Sequence, residues 1–149
     1  MRIVIQRVRR ACVRVDDAVV ASTGPGLLLL VGVEKLDALP VAERAGVKIA
    51  NLRIFAAQPG VDDRMDRSVK QVSGEILVVS QFTLAGSLLS GNRPGFDGAA
   101  SADSARPVYL RLAETLQEQG LTVRTGAFGA MMDVELINDG PVTFVMEVH

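Results

Sequence analysis

The chain of 149 residues, 48% hydrophobic and 22% charged, has the length and balance of one compact domain, residues 1–149, with a real core. A net charge of -1 excludes a global electrostatic pull on nucleic acid, and the sole cysteine, Cys12, excludes an internal disulfide and is no metal site by itself. The longest apolar run, residues 27–33, is too short to cross a bilayer, and Gln6 and Arg7 interrupt any signal-peptide core, so a cytoplasmic protein is expected.

Arg2, Arg7, Arg9, Arg10 and Arg14 open the chain with no acid among them, and read as the outward positions of a charged strand rather than a phosphate-binding stripe. Val13, Val15, Val19 and Val20 flank Asp16-Asp17, the pattern of a hairpin. Gly24-Pro25-Gly26 is a turn, and residues 27–33 follow as a strand buried on both faces. Asp37 is expected to cap a helix that has Pro40 in its first turn and runs to about Asn51, with Val41, Ala45, Ile49 and Leu52 on one stripe. Residues 53–55 resume a short strand, and residues 58–67 turn polar, as an exposed loop does.

Residues 75–81 form a second buried strand, and the glycine-rich stretch 86–98 is a long irregular loop of the kind that carries function. Ser101 or Ser104 caps a second helix, with Val108, Leu112 and Leu116 at four-residue spacing and Gly120 as its stop. Three further strands are expected at 121–125, 133–137 and 142–148. The sum is an α+β fold: a strongly curved, largely antiparallel sheet or barrel with two main helices packed on it.

Two polar motifs end apolar strands: Ser80-Gln81-Phe82-Thr83-Leu84 and Asn138-Asp139-Gly140-Pro141-Val142-Thr143. A buried strand that ends in hydroxyl, amide and free backbone groups is a place to bind something. The usual catalytic side chains are missing, since the one histidine is His149. Ser80 or Thr83 as a nucleophile would need a base within reach, and Asp139, which precedes a glycine, reads as a turn former. Asp62, Asp63 and Asp66 lack the spacing of a calcium loop, and no Gly-Lys-Ser/Thr step ends the glycine-rich loop. What remains is electrostatic catalysis by the backbone amides of Phe82 and Thr83. Spacing alone leaves open whether those amides are free or paired with a neighbouring strand.

The two motifs together resemble the paired signature of D-aminoacyl-tRNA deacylases. Ile5-Gln6-Arg7-Val8, Leu30-Val31-Gly32-Val33-Glu34, Asn92-Arg93-Pro94 and the stretch Thr125-Gly126-Ala127-Phe128-Gly129-Ala130-Met131-Met132 extend the resemblance over essentially the whole chain. It implies an ester hydrolase that removes D-amino acids from tRNA and also acts on glycyl-tRNA. It implies a homodimer with tRNA as the other partner, no metal or organic cofactor, and neither a membrane nor DNA. Gly140-Pro141, in the cis form, would reach from one subunit into the pocket of the other. Ser80, Gln81, Phe82 and Thr83 would form the pocket floor, Arg7 would hold the Gly-Pro loop, and Phe128 and Met132 would lie against the terminal adenosine.

The implied chemistry is coherent. Ester hydrolysis needs a positioned water and a stabilised oxyanion, and the ribose hydroxyl beside the ester can assist where no protein base exists. A rigid carbonyl facing the α-carbon would exclude every L side chain, leave the D side chain free, and fail to exclude glycine. Arg7, Arg9, Arg10 and Arg93 are the candidate tRNA patch, and Leu88 and Leu89 are candidates for packing on the partner. The alternatives are a related deacylase with a trans Gly-Pro bond acting on L-alanyl-tRNA, and a standalone RNA-binding domain.

Overall fold

In a computed structural model, which describes residues 1–89 and 91–149, eight strands and two main helices follow in the order β1 (Arg2–Val15), β2 (Ala18–Thr23), β3 (Gly26–Gly32), α1 (Leu39–Asn51), β4 (Arg53–Gln58), β5 (Asp62–Ser68), β6 (Glu75–Ser80), α2 (Ala102–Glu118), β7 (Thr122–Thr125) and β8 (Asp133–Glu147). Ser90, within the expected loop 86–98, lies outside the described residues. No helix among them is long and apolar enough to cross a membrane.

β1 organises the main sheet. It pairs antiparallel with β3 over residues 2–8 and with β2 over residues 11–15, while β8 runs antiparallel along residues 2–14. Because β2 and β3 occupy successive stretches of one edge of β1, β8 takes the other. The sheet continues β3-β6-β7 through parallel pairings, and β4 and β5 form a separate antiparallel ribbon. The α+β reading therefore holds, with a mixed and nearly barrel-shaped sheet.

The hairpin between β1 and β2 turns at Asp16 and Asp17, whose φ angles of 49° and 63° are those of a two-residue turn matched to strand twist. β3 is buried on both faces apart from Leu30: Leu27 and Leu29 face the helices, and Leu28 faces a smaller cluster with Val8, Val13 and Val79. Each fully buried leucine contributes about 1.5–3 kcal/mol. α1 and α2 cover the first face through Ala45, Ile49, Tyr109, Leu112 and Leu116. Gly46 lets them meet, since a Cβ there would sit 2.7 Å from Thr115 Cγ2.

Four expectations are corrected. Asp37 does not cap α1. Ala38 holds the cap position without a side-chain bond, and the Asp37 carboxylate instead accepts from the Glu34 amide (2.7 Å) and the Met1 amino group (2.7 Å). The exposed stretch 58–67 is not wholly loop, because β5 pairs with β4 across a turn at Gly60. Asp139 makes no tight turn. The two strands expected at 133–137 and 142–148 are one strand, β8, which passes through Asn138–Pro141 by register shifts opposite Gln6, Val8 and Arg10. Ser101 does cap α2, its hydroxyl accepting from the Ser104 amide at 3.4 Å.

Candidate functional site

β6 ends at Ser80, and the chain leaves the sheet in a 3-10 turn over Phe82–Ala85. The Gln81 amide is the last to join the ladder, donating to Val31 O at 2.7 Å. The first bond of the turn is Leu84 N to Gln81 O, at 3.2 Å. The amides of Phe82 and Thr83 fall between these two and have no acceptor among the described residues, as the leading donors of a helical turn usually do. The turn seats closely on β3 because Gly32 has no side chain; a Cβ there would lie 2.8 Å from Leu84 Cβ and 3.0 Å from Gln81 O.

The end of β6 and the first residue of the turn form one wall of a cavity of about 520 Å³. Ser80, Gln81 and Phe82 line one side, Ala102 and Ala105 of α2 another, and residues 128–132 the third. None of the lining side chains is ionisable. The surface is apolar apart from the Ser80 hydroxyl, the Gln81 amide and backbone groups, which suits orientation of a substrate more than proton transfer by a side chain. Phe82 is 58% exposed at the rim and meets Phe96 of the following loop with ring centroids 5.2 Å apart.

Residues 126–132 are placed by their junction with β6. Gly126 N donates to Val78 O at 2.9 Å, just past the last β6–β7 pair, Val78 with Thr125. The lack of a side chain at Gly126 leaves room for Met132, whose sulfur would be 2.9 Å from a Cβ there. Phe128 is backed by Tyr109, with centroids 5.4 Å apart.

The second motif lies elsewhere. Gly140 and Pro141, joined by a cis peptide bond, are exposed and line a different cavity of about 950 Å³, bounded by the β4–β5 ribbon and the start of β6. Their loop is firmly held. Asn138 Nδ2 donates to Arg7 O (2.9 Å) and Val142 O (3.1 Å). Arg7 Nε lies 2.8 Å from Asp139 Oδ2 and donates to Asp139 O at 3.2 Å, while its Nη1 donates to Ile54 O at 2.7 Å. The Asp139 carboxylate, also 3.4 Å from Arg9 Nε, is thus paired with two guanidinium groups.

Of the residues singled out from sequence, Ser80, Gln81, Phe82, Phe128 and Met132 come together in the smaller cavity. Thr83 follows in the turn, but it is not one of the lining residues. Arg7, Gly140 and Pro141 come together around the larger one. Arg10 is paired with Glu135 at 3.1 Å, in keeping with a charged strand whose arginines meet β8 acids, and Arg93 is exposed in the loop. Leu88 and Leu89 are exposed on one chain. Ala102, Ala105, Phe96 and Tyr109 were not read from sequence as site residues. The one available signal was the pair of small residues three apart at the start of α2, which leaves a helix face without bulk.

Comparison with known proteins agrees over the whole length. A family model described as D-Tyr-tRNA(Tyr) deacylase matches residues 4–147. A protein of Syntrophotalea carbinolica named D-aminoacyl-tRNA deacylase is 50% identical over 149 residues, covering 100% of this chain and 98% of the relative. One of Deinococcus radiodurans with the same name is 47% identical over 148 residues, covering 99% and 100%. Among solved structures, one described as c-Myc DNA Unwinding Element Binding Protein superposes with a TM-score of 0.89 at 38% identity, covering 99% of this chain and 98% of that one. A probable eukaryotic D-amino acid tRNA deacylase superposes with a TM-score of 0.85 at 15% identity, covering 97% of each chain, a likeness of fold.

Proposed function

Because the chain belongs to the D-Tyr-tRNA(Tyr) deacylase family and is by that membership a hydrolase of the D-aminoacyl-tRNA ester, we propose that the reaction takes place in the smaller cavity, with the chiral filter supplied by a second copy of the chain. The observation that carries this reading is that the amides of Phe82 and Thr83, in the turn that leaves the cavity wall, have no acceptor among the described residues, beside an apolar cavity lined by no ionisable side chain.

The terminal adenosine lies against Phe128 and Met132, and the aminoacyl ester reaches the end of β6. A water attacks the ester carbonyl. The oxyanion that forms takes hydrogen bonds from the free amides, which are already oriented and need no reorganisation. The ribose hydroxyl adjoining the ester assists proton transfer, and the bond to the ribose oxygen then breaks to release the amino acid and tRNA. The Ser80 and Thr83 side chains are not nucleophiles in this scheme. We expect Ser80→Ala and Thr83→Ala, measured separately by release of D-tyrosine from D-Tyr-tRNA, to stay within about tenfold of the parent rate. Complete loss in a folded Thr83→Ala protein would return the chemistry to a side chain.

Gly140 and Pro141 line the larger cavity of their own chain and are not among the residues that line the smaller one. A two-fold dimer brings the pair into the partner's pocket, and symmetry repeats the arrangement. One edge of β8 has no strand partner among the described residues, and Ile137, Phe144 and Val145 are exposed, which supports a partner on this side, since a long bare edge strand is normally covered. In the partner's pocket the Gly140 carbonyl faces the substrate α-carbon, clashes with any L side chain and tolerates hydrogen, so glycyl-tRNA is also cleaved. The reading places the enzyme in the cytoplasm with charged tRNA. The direct test compares D-Tyr-tRNA with L-Tyr-tRNA: release of D-tyrosine with L-Tyr-tRNA spared is expected, and equal hydrolysis of both would overturn the filter.

A further inference from the structure

The Val78 carbonyl, two residues before Ser80, accepts two hydrogen bonds from different parts of the chain. Gly126 N donates to it at 2.9 Å and Tyr109 Oη at 2.8 Å. Tyr109 is among the largest fully buried side chains of the molecule, 1% exposed, and its ring backs Phe128 with a 5.4 Å centroid separation and a 48° tilt. One side chain of α2 therefore links elements that supply two of the three sides of the smaller cavity: through its hydroxyl, at Val78, the strand that ends at Ser80, and through its ring Phe128. Any buried tyrosine must find an acceptor for its hydroxyl; here that acceptor is a carbonyl of β6 while the ring packs on Phe128, so one side chain fixes distance and direction between the two.

We infer that Tyr109 is a positioning residue for substrate binding: it sets the spacing between the floor at residues 80–82 and the wall at Phe128, and so governs how the terminal adenosine is held. This deepens the proposed function and rests on its assignment of Phe128 to the adenosine. Tyr109 touches no reacting atom, so its influence falls on binding rather than on the chemical step. Burial raises the Tyr109 pKa far above the ordinary phenol range, which keeps the hydroxyl protonated as a donor throughout the physiological range.

The test uses the full-length protein with Tyr109→Phe, which keeps the ring and removes only the bond to Val78 O, beside Thr115→Val. Thr115 is buried in the same helix, its hydroxyl donates to Arg111 O at 2.8 Å, its Cγ2 faces Gly46, and it does not line the cavity. Tyr109→Phe should raise KM for D-Tyr-tRNA about tenfold with kcat within about twofold, and weaken competitive inhibition by free adenosine by a similar factor. Thr115→Val should leave both binding measures unchanged even if its thermal midpoint falls as far. Unchanged KM and adenosine inhibition in Tyr109→Phe, or equal shifts in both variants, would overturn the inference. If adenosine fails to inhibit the unsubstituted protein at all, the assignment of the Phe128 wall is what fails, and this inference with it.

Discussion

Replacing Ala105 by tryptophan is expected to abolish deacylation of D-Tyr-tRNA, by about 100-fold or more, without unfolding the chain. Ala105 lies in the first turns of α2, its backbone N–H bonded to Ser101 O at 2.8 Å, and it lines the smaller cavity opposite Ser80–Phe82. The structural reason for a residue of that size is the space in front of it. On the proposed reading an indole there occupies the room of the aminoacyl-adenosine end, and a reacting ester displaced by even 1 Å from the Phe82 and Thr83 amides loses most of its rate. Overpacking is the usual objection to such a variant; Ala105 borders the core on one side, but on the other it lines an open cavity of about 520 Å³ that an indole can enter. The measurement is single-turnover release of D-tyrosine, with circular dichroism to verify the fold. If the chemistry belonged instead to the larger cavity beside Arg7 and Asp139, the substitution would leave the rate intact.

Arg7→Ala is expected to have the second large effect, on selectivity rather than on rate. The Arg7 side chain is 14% exposed and holds the Gly140–Pro141 loop at two points, the Asp139 carboxylate and the Asp139 carbonyl, while it is itself anchored to β4 through the Ile54 carbonyl and its guanidinium carbon lies 5.9 Å from the Phe55 ring centroid. Its removal frees Asp139 to turn toward solvent and lets the loop relax. A steric filter fails when its wall can move by a fraction of a side chain. We expect discrimination between D-Tyr-tRNA and L-Tyr-tRNA to fall by about 100-fold, mainly through new hydrolysis of the L form, while D-Tyr-tRNA is still cleaved. Unchanged discrimination would mean that the loop is held by Asn138 alone, or that the filter lies elsewhere.

Much of the fold is legible in the amino-acid sequence. Apolar periodicity marked the strands around Leu28 and Leu77 and the stripes of both helices, because burial on a fixed face imposes a repeat. The motif at residues 80–83 stood out because polar residues interrupt an apolar strand where it leaves the sheet. Other features had no local signature. β5, with the sequence Asp62-Asp63-Arg64-Met65-Asp66-Arg67-Ser68, buries almost nothing, so only its pairing with β4 makes it a strand. Asp37 has the composition of a cap, but tertiary partners claim its carboxylate. The continuity of β8 through Gly140–Pro141 depends on bulges opposite Gln6 and Val8, which no pattern in residues 133–148 reports. The two motifs give no sign, as sequence, that one chain keeps them in separate cavities. That separation follows from which edge of β1 the last strand occupies.

The central claim is that each pocket is completed by the other copy of the chain, and mixing the two variants above tests it most directly. Arg7→Ala protein has open pockets and a loosened filter; Ala105→Trp protein has filled pockets and an intact filter. In heterodimers formed by co-refolding and verified by native mass spectrometry, the open pocket receives Gly140–Pro141 from the Ala105→Trp chain. Hydrolysis of L-Tyr-tRNA should therefore fall toward zero as that chain is added in excess, while D-Tyr-tRNA is still cleaved by the same pockets. Hydrolysis of L-Tyr-tRNA that persists undiminished per open pocket in verified heterodimers would show that the filter acts within one chain, and would contradict the account.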